Sequence, residues 1–389
     1  MKTVTVDNLP EGSYIDKPVY LDEHYILLSP DIPVSKMLKQ RLKDWSYSRV
    51  YTDGSPVESP PGIATPDQDE QDEEQNTAVI QNKEQEKSKW EEAVAFYYSM
   101  CDFMASVFDR YLKREELNIN EITEKVKTFI EVVKSQRDYI LRLNEMETKH
   151  SYLVAHSVKT TVITLAMANT MKLPPFKQID LGIASLLHEI GMTRIPENVY
   201  QTSGELTAQQ RKAIAAHTVL GFRILKDHQF SMQITRAVLE HHERENGSGY
   251  PRGITADKIS FYAKIIAVAC SYVAIVSDRP HRSASDGHSG MLDLLKNTGK
   301  QYNEQIIRVL VYTLSIYPVG TYILLSNGNR GLVVKTDPEK PRHPVIRLLI
   351  DENGNVFREQ SLFQTKEDGE IQISRPLMQK EIEEVKAKI

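Results

Sequence analysis

Cysteine is nearly absent: Cys101 and Cys270 are the only two in 389 residues. Two thiols are too few for a disulfide framework, so the expected compartment is the reducing cytoplasm. Long apolar runs are also missing. None approaches the roughly 18 residues of a membrane helix, so no membrane span is expected. The opening MKTVTVDNLPEGSYID has no apolar core, so no secretory signal is expected either. A large charge of one sign is absent too: 48 Lys+Arg stand against 53 Asp+Glu, a net charge of −5. That balance gives no global attraction to a nucleic-acid polymer or an anionic membrane. With 40% hydrophobic and 26% charged residues the composition is that of a folded chain and excludes wholesale disorder. At about 150 residues per domain, the length suits roughly two to three domains.

The charge that is present is unevenly placed. Residues 53–88 carry ten acidic side chains against two basic ones, which leaves the rest of the chain mildly basic. A mildly basic body suits an anionic ligand; a solvated linker explains the acidic run equally well. The same segment has four prolines and no Phe, Trp, Tyr, Leu or Met, and reads as a disordered acidic linker. Before it, residues 1–52 read as a small α+β domain. TVTV and EHYILLS are its β-type runs, and VSKMLKQRLKDW a helix with Met37, Leu38, Leu42 and Trp45 near one face. From Trp90 the spacing is helical for about 200 residues. Residues 89–144 form a helical lead-in and 145–315 the helical body. The expected helices span 90–115, 120–146, 151–172, 177–190, 207–228, 231–243, 258–278 and 290–314. Leu173-Pro174-Pro175, Ile195-Pro196 and the Asn246–Pro251 stretch break the pattern. Thr207 with Gln210 predicts a capping box. Residues 316–389 read as a β-hairpin-rich tail with turns at Asn327-Gly328 and Asn353-Gly354, closed by a charged helix. The class is therefore mainly α: a helical bundle, a small α+β N-terminal domain and a short β-rich C-terminal segment. The 90–146 helices are long enough for a homodimer, and packing within one chain suits them equally.

Histidine placement carries the chemistry. Of eleven histidines, six sit at informative places in the helical pattern: His150, His156, His188, His217, His241 and His242. Neutral imidazole is a common metal ligand. His188-Glu189 and His241-His242 follow apolar runs, where polar side chains are costly unless they serve a site. Borderline ions such as Fe and Mn take imidazole together with carboxylate.

The ordered set LLHEIGMTRIPENVYQTSGELTAQQRKAIAAHTVLGFRIL, HHERENGSGYPRGI and KIIAVACSYVAIVSDRPHR resembles the HD-GYP domain over about residues 145–315. That family belongs to the HD superfamily of metal-dependent phosphohydrolases, and its characterised members hydrolyse cyclic di-GMP to pGpG or GMP. The resemblance implies an HD-type helical bundle holding two or three divalent ions, Fe or Mn. Its metal positions match His156, His188, Glu189, His217, His241 and His242; His188 and Glu189 would be catalytic. It implies cyclic di-GMP or a related nucleotide at Tyr250 of the Gly249-Tyr250-Pro251 loop and at Arg279 and Arg282. Outside the resemblance, that loop reads as a tight turn and those arginines as surface charges.

Four departures are legible. The paired aspartate is Glu189, longer by one methylene, about 1.5 Å. A metal-bound aspartate is Cys270, read here as a small buried hydrophobe in preference to a ligand. A lysine is Met192, and an aspartate is Val273. Three readings follow. The domain binds metal or cyclic di-GMP with impaired or lost hydrolysis, as a receptor or scaffold with a protein partner. Alternatively it is an active phosphodiesterase, or it is an interaction module that has lost ligand binding.

Overall fold

The computed structural model describes residues 1–21, 26–30, 32–45, 47–57, 68–143, 146, 149–201, 204–278, 284–357 and 361–389, with side chains of the long second helix from residue 86 onward. Two compact units divide the chain, Met1–Gln85 and Glu86–Ile389. Among the described residues no helix is long and apolar enough to cross a membrane.

The first unit contains β1 (Lys2–Thr5), β2 (Tyr14–Ile15), β3 (Val19–Tyr20), β4 (Ile26–Leu28), α1 (Lys36–Asp44), β5 (Arg49–Thr52) and β6 (Pro56–Val57). The strands form an antiparallel sheet in the order β1-β5-β3-β4 and a β2–β6 pair. Ser35 caps α1 by accepting a hydrogen bond from the Leu38 amide at 3.1 Å. Leu42 is fully buried and Leu38 packs beside it, whereas Met37 and Trp45 face outward. The helix therefore has a narrower inner face than the sequence suggests, set by residues four apart.

Helix α2 (Gln68–Arg114) begins well before Trp90. The expected linker is thus helical from residue 68, and 53–57 include β6; residues 58–67 lie outside the described residues. The helix has a local cause: beyond Pro66 the run is dense in Glu, Gln and Lys, good helix formers that need no core to favour the α conformation.

The second unit continues with α3 (Ile119–Ser135), α4 (Arg137–Ile140), α5 (Tyr152–Thr170), α6 (Pro175–Leu186), α7 (Glu197–Tyr200), α8 (Ala208–Ala215), α9 (His217–Asp227), α10 (Met232–Glu240), α11 (Phe261–Ile275), α12 (Gly287–Lys296) and α13 (Glu304–Leu314). Helix α5 is its axis. It is buried on nearly all sides from Leu153 to Ala168, and α3, α6, α11 and α13 pack around it. Pro175 opens α6 at a position where a missing amide proton costs nothing. Thr207 and Gln210 form the expected reciprocal box on α8: the Gln210 amide donates to Thr207 Oγ1 at 3.2 Å, and the Thr207 amide to Gln210 Oε1 at 2.9 Å.

Strands β7 (Tyr322–Leu325), β8 (Arg330–Lys335), β9 (Val345–Ile350), β10 (Leu362–Gln364) and β11 (Ile373–Pro376) make an antiparallel sheet in the order β10-β9-β8-β7-β11, followed by α14 (Gln379–Lys386). The β7–β8 turn needs the positive φ of Gly328, +85°.

Phe129 on α3 is fully buried, with its ring edge-on to Phe96 of α2 at 5.2 Å. Phe129→Ala should cost about 3–5 kcal/mol, read as a lower urea midpoint for the helical unit. A loss below about 1 kcal/mol would show that α2 and α3 do not pack in this way.

Candidate metal centre

Three histidines stand just beyond helix C-termini, where the last carbonyls have no helical partner. His188 follows α6, His217 follows α8, and His241 follows α10. Each ring turns back to the carbonyl three residues earlier. His188 Nδ1 lies 2.6 Å from the Ser185 oxygen, His217 Nδ1 2.7 Å from that of Ile214, and His241 Nδ1 2.7 Å from that of Val238. A carbonyl only accepts, so Nδ1 carries the proton in each neutral ring. Nε2 is then left with its lone pair facing the interior.

These bonds also explain where the helices end. The periodicity of 177–190, 207–228 and 231–243 runs through His188, His217 and His241, yet the helices stop or break there. Residues 207–228 become α8 and α9, with a tighter turn at Ala216, whose amide donates to the Ala213 oxygen at 3.2 Å.

Helix α6 is held to α5 by buried hydroxyls. Ser185 Oγ donates to Thr164 Oγ1 at 3.0 Å, and Thr161 Oγ1 lies 3.4 Å from Ser185 Oγ. Ser185 therefore fixes the α5–α6 register through its side chain and the His188 ring through its carbonyl. Helix α5 brings His156, whose Nδ1 lies 3.3 Å from Tyr152 Oη beneath a stacked tyrosine ring.

Glu189 lies between the histidines. Its Oε1 is 3.7 Å from His188 Nε2 and 3.9 Å from His156 Nε2; its Oε2 is 3.7 Å from His217 Nε2. Two donor clusters result: Glu189, His217, His241 and His242 form one, and His156, His188 and Cys270 the other. One carboxylate thus presents an oxygen to each. The extra methylene leaves a bridging geometry open. Cys270, weighed from the sequence as a buried hydrophobe, is buried but has Sγ 3.4 Å from His156 Nε2.

The donors suit divalent ions. His188 Nε2 is buried and has no hydrogen-bond partner among the described residues, a costly state that a metal would relieve. Burial lowers the pKa of His188, opposed by the nearby Glu189 charge. Burial lowers those of His241 and His242 further, reinforced by the neighbouring imidazoles. Neutral rings are the form that binds metal.

The adjoining loop is held by two acids to which the sequence reading gave no role. Glu243 accepts from the amides of Arg252 and Ile254 at 2.8 and 3.1 Å. Glu240 accepts from Arg236 Nε and the Ser260 amide, each at 2.7 Å, and pairs with Arg252. Their signal was the flanking of His241-His242 by acids on an apolar helix end. Tyr250 stacks on His242 with centroids 4.7 Å apart. Gly249 is required by close approach: an added Cβ would lie 2.4 Å from the Arg244 nitrogen and the His242 oxygen. Met192 and Val273 are buried in the apolar core. Arg279 and Arg282 lie outside the described residues.

Comparison with known proteins agrees with this architecture. Residues 140–306 match the family model of the HD domain, and residues 322–385 that of the KOW domain associated with HD domain. Cyclic di-GMP phosphodiesterase PdeB of Borreliella burgdorferi is 29% identical over 61% of this chain and 63% of its own length. Cyclic di-GMP phosphodiesterase PA4108 of Pseudomonas aeruginosa is 30% identical over 56% of this chain and 52% of its own. The chain thus spans between half and two thirds of these relatives. Among solved structures, Bd1817, an HD-GYP-type protein from Bdellovibrio bacteriovorus, aligns at 17% identity with a TM-score of 0.46, covering 79% of this chain and 97% of its own. Residues 140–306 of the second unit thus match an HD domain. The HD-domain match and the cyclic di-GMP phosphodiesterase relatives together support an HD-GYP domain protein.

Two glycines pack against the backbone of donor residues. Gly191 faces α9 so closely that an added Cβ would lie 2.0 Å from the His217 oxygen. Gly191→Ala should cost about 1–3 kcal/mol or more and lower bound-metal stoichiometry, read by thermal unfolding and elemental analysis. Gly249→Ala should push the Tyr250 loop off the backbone of His242 and Glu243, lowering both thermal stability and bound metal. If Gly191→Ala keeps full metal content and stability, the close packing of the His188 turn on α9 is wrong.

Proposed function

We propose that the HD domain binds divalent ions at two adjacent donor clusters, recognises cyclic di-GMP beside them, and hydrolyses it more weakly than its phosphodiesterase relatives. The observation that carries this reading is Glu189, whose two oxygens face the two clusters. The histidine-rich cluster suits Fe or Mn. Divalent ions held there polarise a phosphoryl oxygen and lower the pKa of water.

The chain's own residues would do the rest. His188, His217 and His241 are oriented in advance by their carbonyl bonds, so little rearrangement is needed on binding. Tyr250 on His242 would offer a ring face to a guanine base at the edge of the centre. Arg279 and Arg282 would meet the phosphates, where guanidinium groups are effective.

The weakening is inferred from what stands near the centre. Where the family has a lysine and an aspartate, Met192 and Val273 are buried among apolar side chains and supply no charge to a phosphodiester. One lost charge-assisted hydrogen bond is worth about 1.5–3 kcal/mol, roughly tenfold or more in rate. Full phosphodiesterase activity is the second reading, favoured by the convergence of all five family-type histidines.

The test is cyclic di-GMP binding and turnover by anaerobically purified full chain loaded with Fe(II) or Mn(II), with His188→Ala as control. Binding that depends on His188, with turnover that rises about tenfold or more in Met192→Lys, is the expected result. Turnover unchanged by Met192→Lys would favour the second reading. Absence of binding in folded, metal-loaded protein would overturn both.

A further inference from the structure

The two donor clusters are not chemically alike. One offers the imidazoles of His217, His241 and His242 and a Glu189 oxygen. The other offers the imidazoles of His156 and His188 and the sulfur of Cys270, all within 4.8 Å of one another. The second Glu189 oxygen lies 3.7 and 3.9 Å from those two imidazoles. Nitrogen and oxygen donors already bind zinc more tightly than manganese. A thiolate in a four-donor set favours zinc strongly over manganese.

Three observations make Cys270 more than a thiol that happens to be near. Its sulfur is directed at a ligand atom, 3.4 Å from His156 Nε2. His188 Nε2, in the same cluster, is fully buried and without a hydrogen-bond partner among the described residues. The cluster is also closed: His156, His188 and Cys270 are each less than a tenth exposed. The Sγ–His156 contact is what a thiol proton shared with imidazole would give. An entering ion replaces that proton: the S–H bond breaks, a metal–sulfur bond forms, and the proton leaves to solvent.

We propose that the His156–His188–Cys270 cluster is a thiolate-containing, zinc-selective site, so that the centre is built for two unlike ions joined through Glu189. This deepens the proposed function and rests on the reading of the domain as a metal centre. It also gives the replacement of aspartate by cysteine a positive role. A soft, closed site holds its ion tightly and leaves the histidine-rich half as the exchangeable one.

Cobalt(II) is the probe, because thiolate-to-cobalt charge transfer absorbs in the near ultraviolet and tetrahedral cobalt absorbs strongly in the visible. Chelator-stripped full chain is titrated anaerobically with Co(II). The expected result is two bound ions and a charge-transfer band. The band is lost in Cys270→Ser, retained in Cys101→Ser, and retained in His241→Ala/His242→Ala with one ion fewer. Zinc should displace the band-bearing ion at equimolar amounts, and Mn(II) should fail to do so at about tenfold excess. Circular dichroism establishes that each variant is folded. Two bound Co(II) ions without the band, or a band that survives Cys270→Ser, would overturn the thiolate site and leave the metal centre standing. Folded protein that binds no Co(II) would overturn the metal centre itself, and the thiolate site with it.

Discussion

The centre depends on one recurring interaction, a histidine Nδ1–H donating to the carbonyl three residues earlier at a helix end. It occurs at His188, His217 and His241, at 2.6 to 2.7 Å. Each bond serves two purposes. It satisfies a terminal carbonyl that the helix leaves unpaired, and it fixes the ring tautomer and direction. Three separate helices then present Nε2 to two adjacent donor clusters, so that the orientation a ligand needs is supplied by the backbone of the fold. The same helix ends are buried in an apolar surround, which lowers the pKa of His188 and His241 and keeps them neutral. Burial and hydrogen bonding thus work in one direction.

The supporting structure keeps these ends in register. Helix α5 lies at the middle of the unit and meets α6 through the buried hydroxyls of Thr161, Thr164 and Ser185. Gly191 lets the turn after Glu189 touch the start of α9. Glu240 and Glu243 tie the loop that carries Tyr250 to the end of α10. None of these groups is placed to bind an ion. Their removal would act by moving the donors by fractions of an ångström, which is enough to change a coordination sphere.

Much of this was legible from residue order. The mainly helical class and the β-type segments at each end follow from periodicity and turn residues, and the convergence of the histidines was implied by the resemblance to the HD-GYP domain. What was not legible has physical causes. Hydrophobic periodicity reports which face of a helix is buried and is silent about a side chain that captures the carbonyl at i−3. The segments 177–190, 207–228 and 231–243 therefore read as continuous while the chain turns at His188, His217 and His241. Composition misjudged residues 68–88 because lack of a core signal argues against packing and says nothing against an isolated helix built from Glu, Gln and Lys. Cys270 is buried, as the sequence reading has it; what the sequence did not show is its contact with a metal-type histidine, because a buried thiol beside imidazole and one among apolar side chains have the same local signature, a cysteine inside an apolar helix.

That contact also changes how the departures should be combined. Read along the chain, Glu189 for aspartate and Cys270 for aspartate are two independent losses from an oxygen-rich site. In space they face the same atom: His156 Nε2 lies 3.9 Å from Glu189 Oε1 and 3.4 Å from Cys270 Sγ. Substitutions that share a partner are coupled, and their effects do not add. The longer carboxylate has an oxygen near each cluster, and in the proposed thiolate site the sulfur would supply the donor that a second carboxylate would otherwise provide. The pair is therefore better understood as one alteration of a coordination sphere than as two lesions. Met192 and Val273 differ in kind. They lie in the apolar core, offer no donor atom to either cluster, and in the proposed function bear on substrate charge rather than on metal. Under the proposed function, ion binding and hydrolysis would therefore be able to diverge, because different residues bear on each.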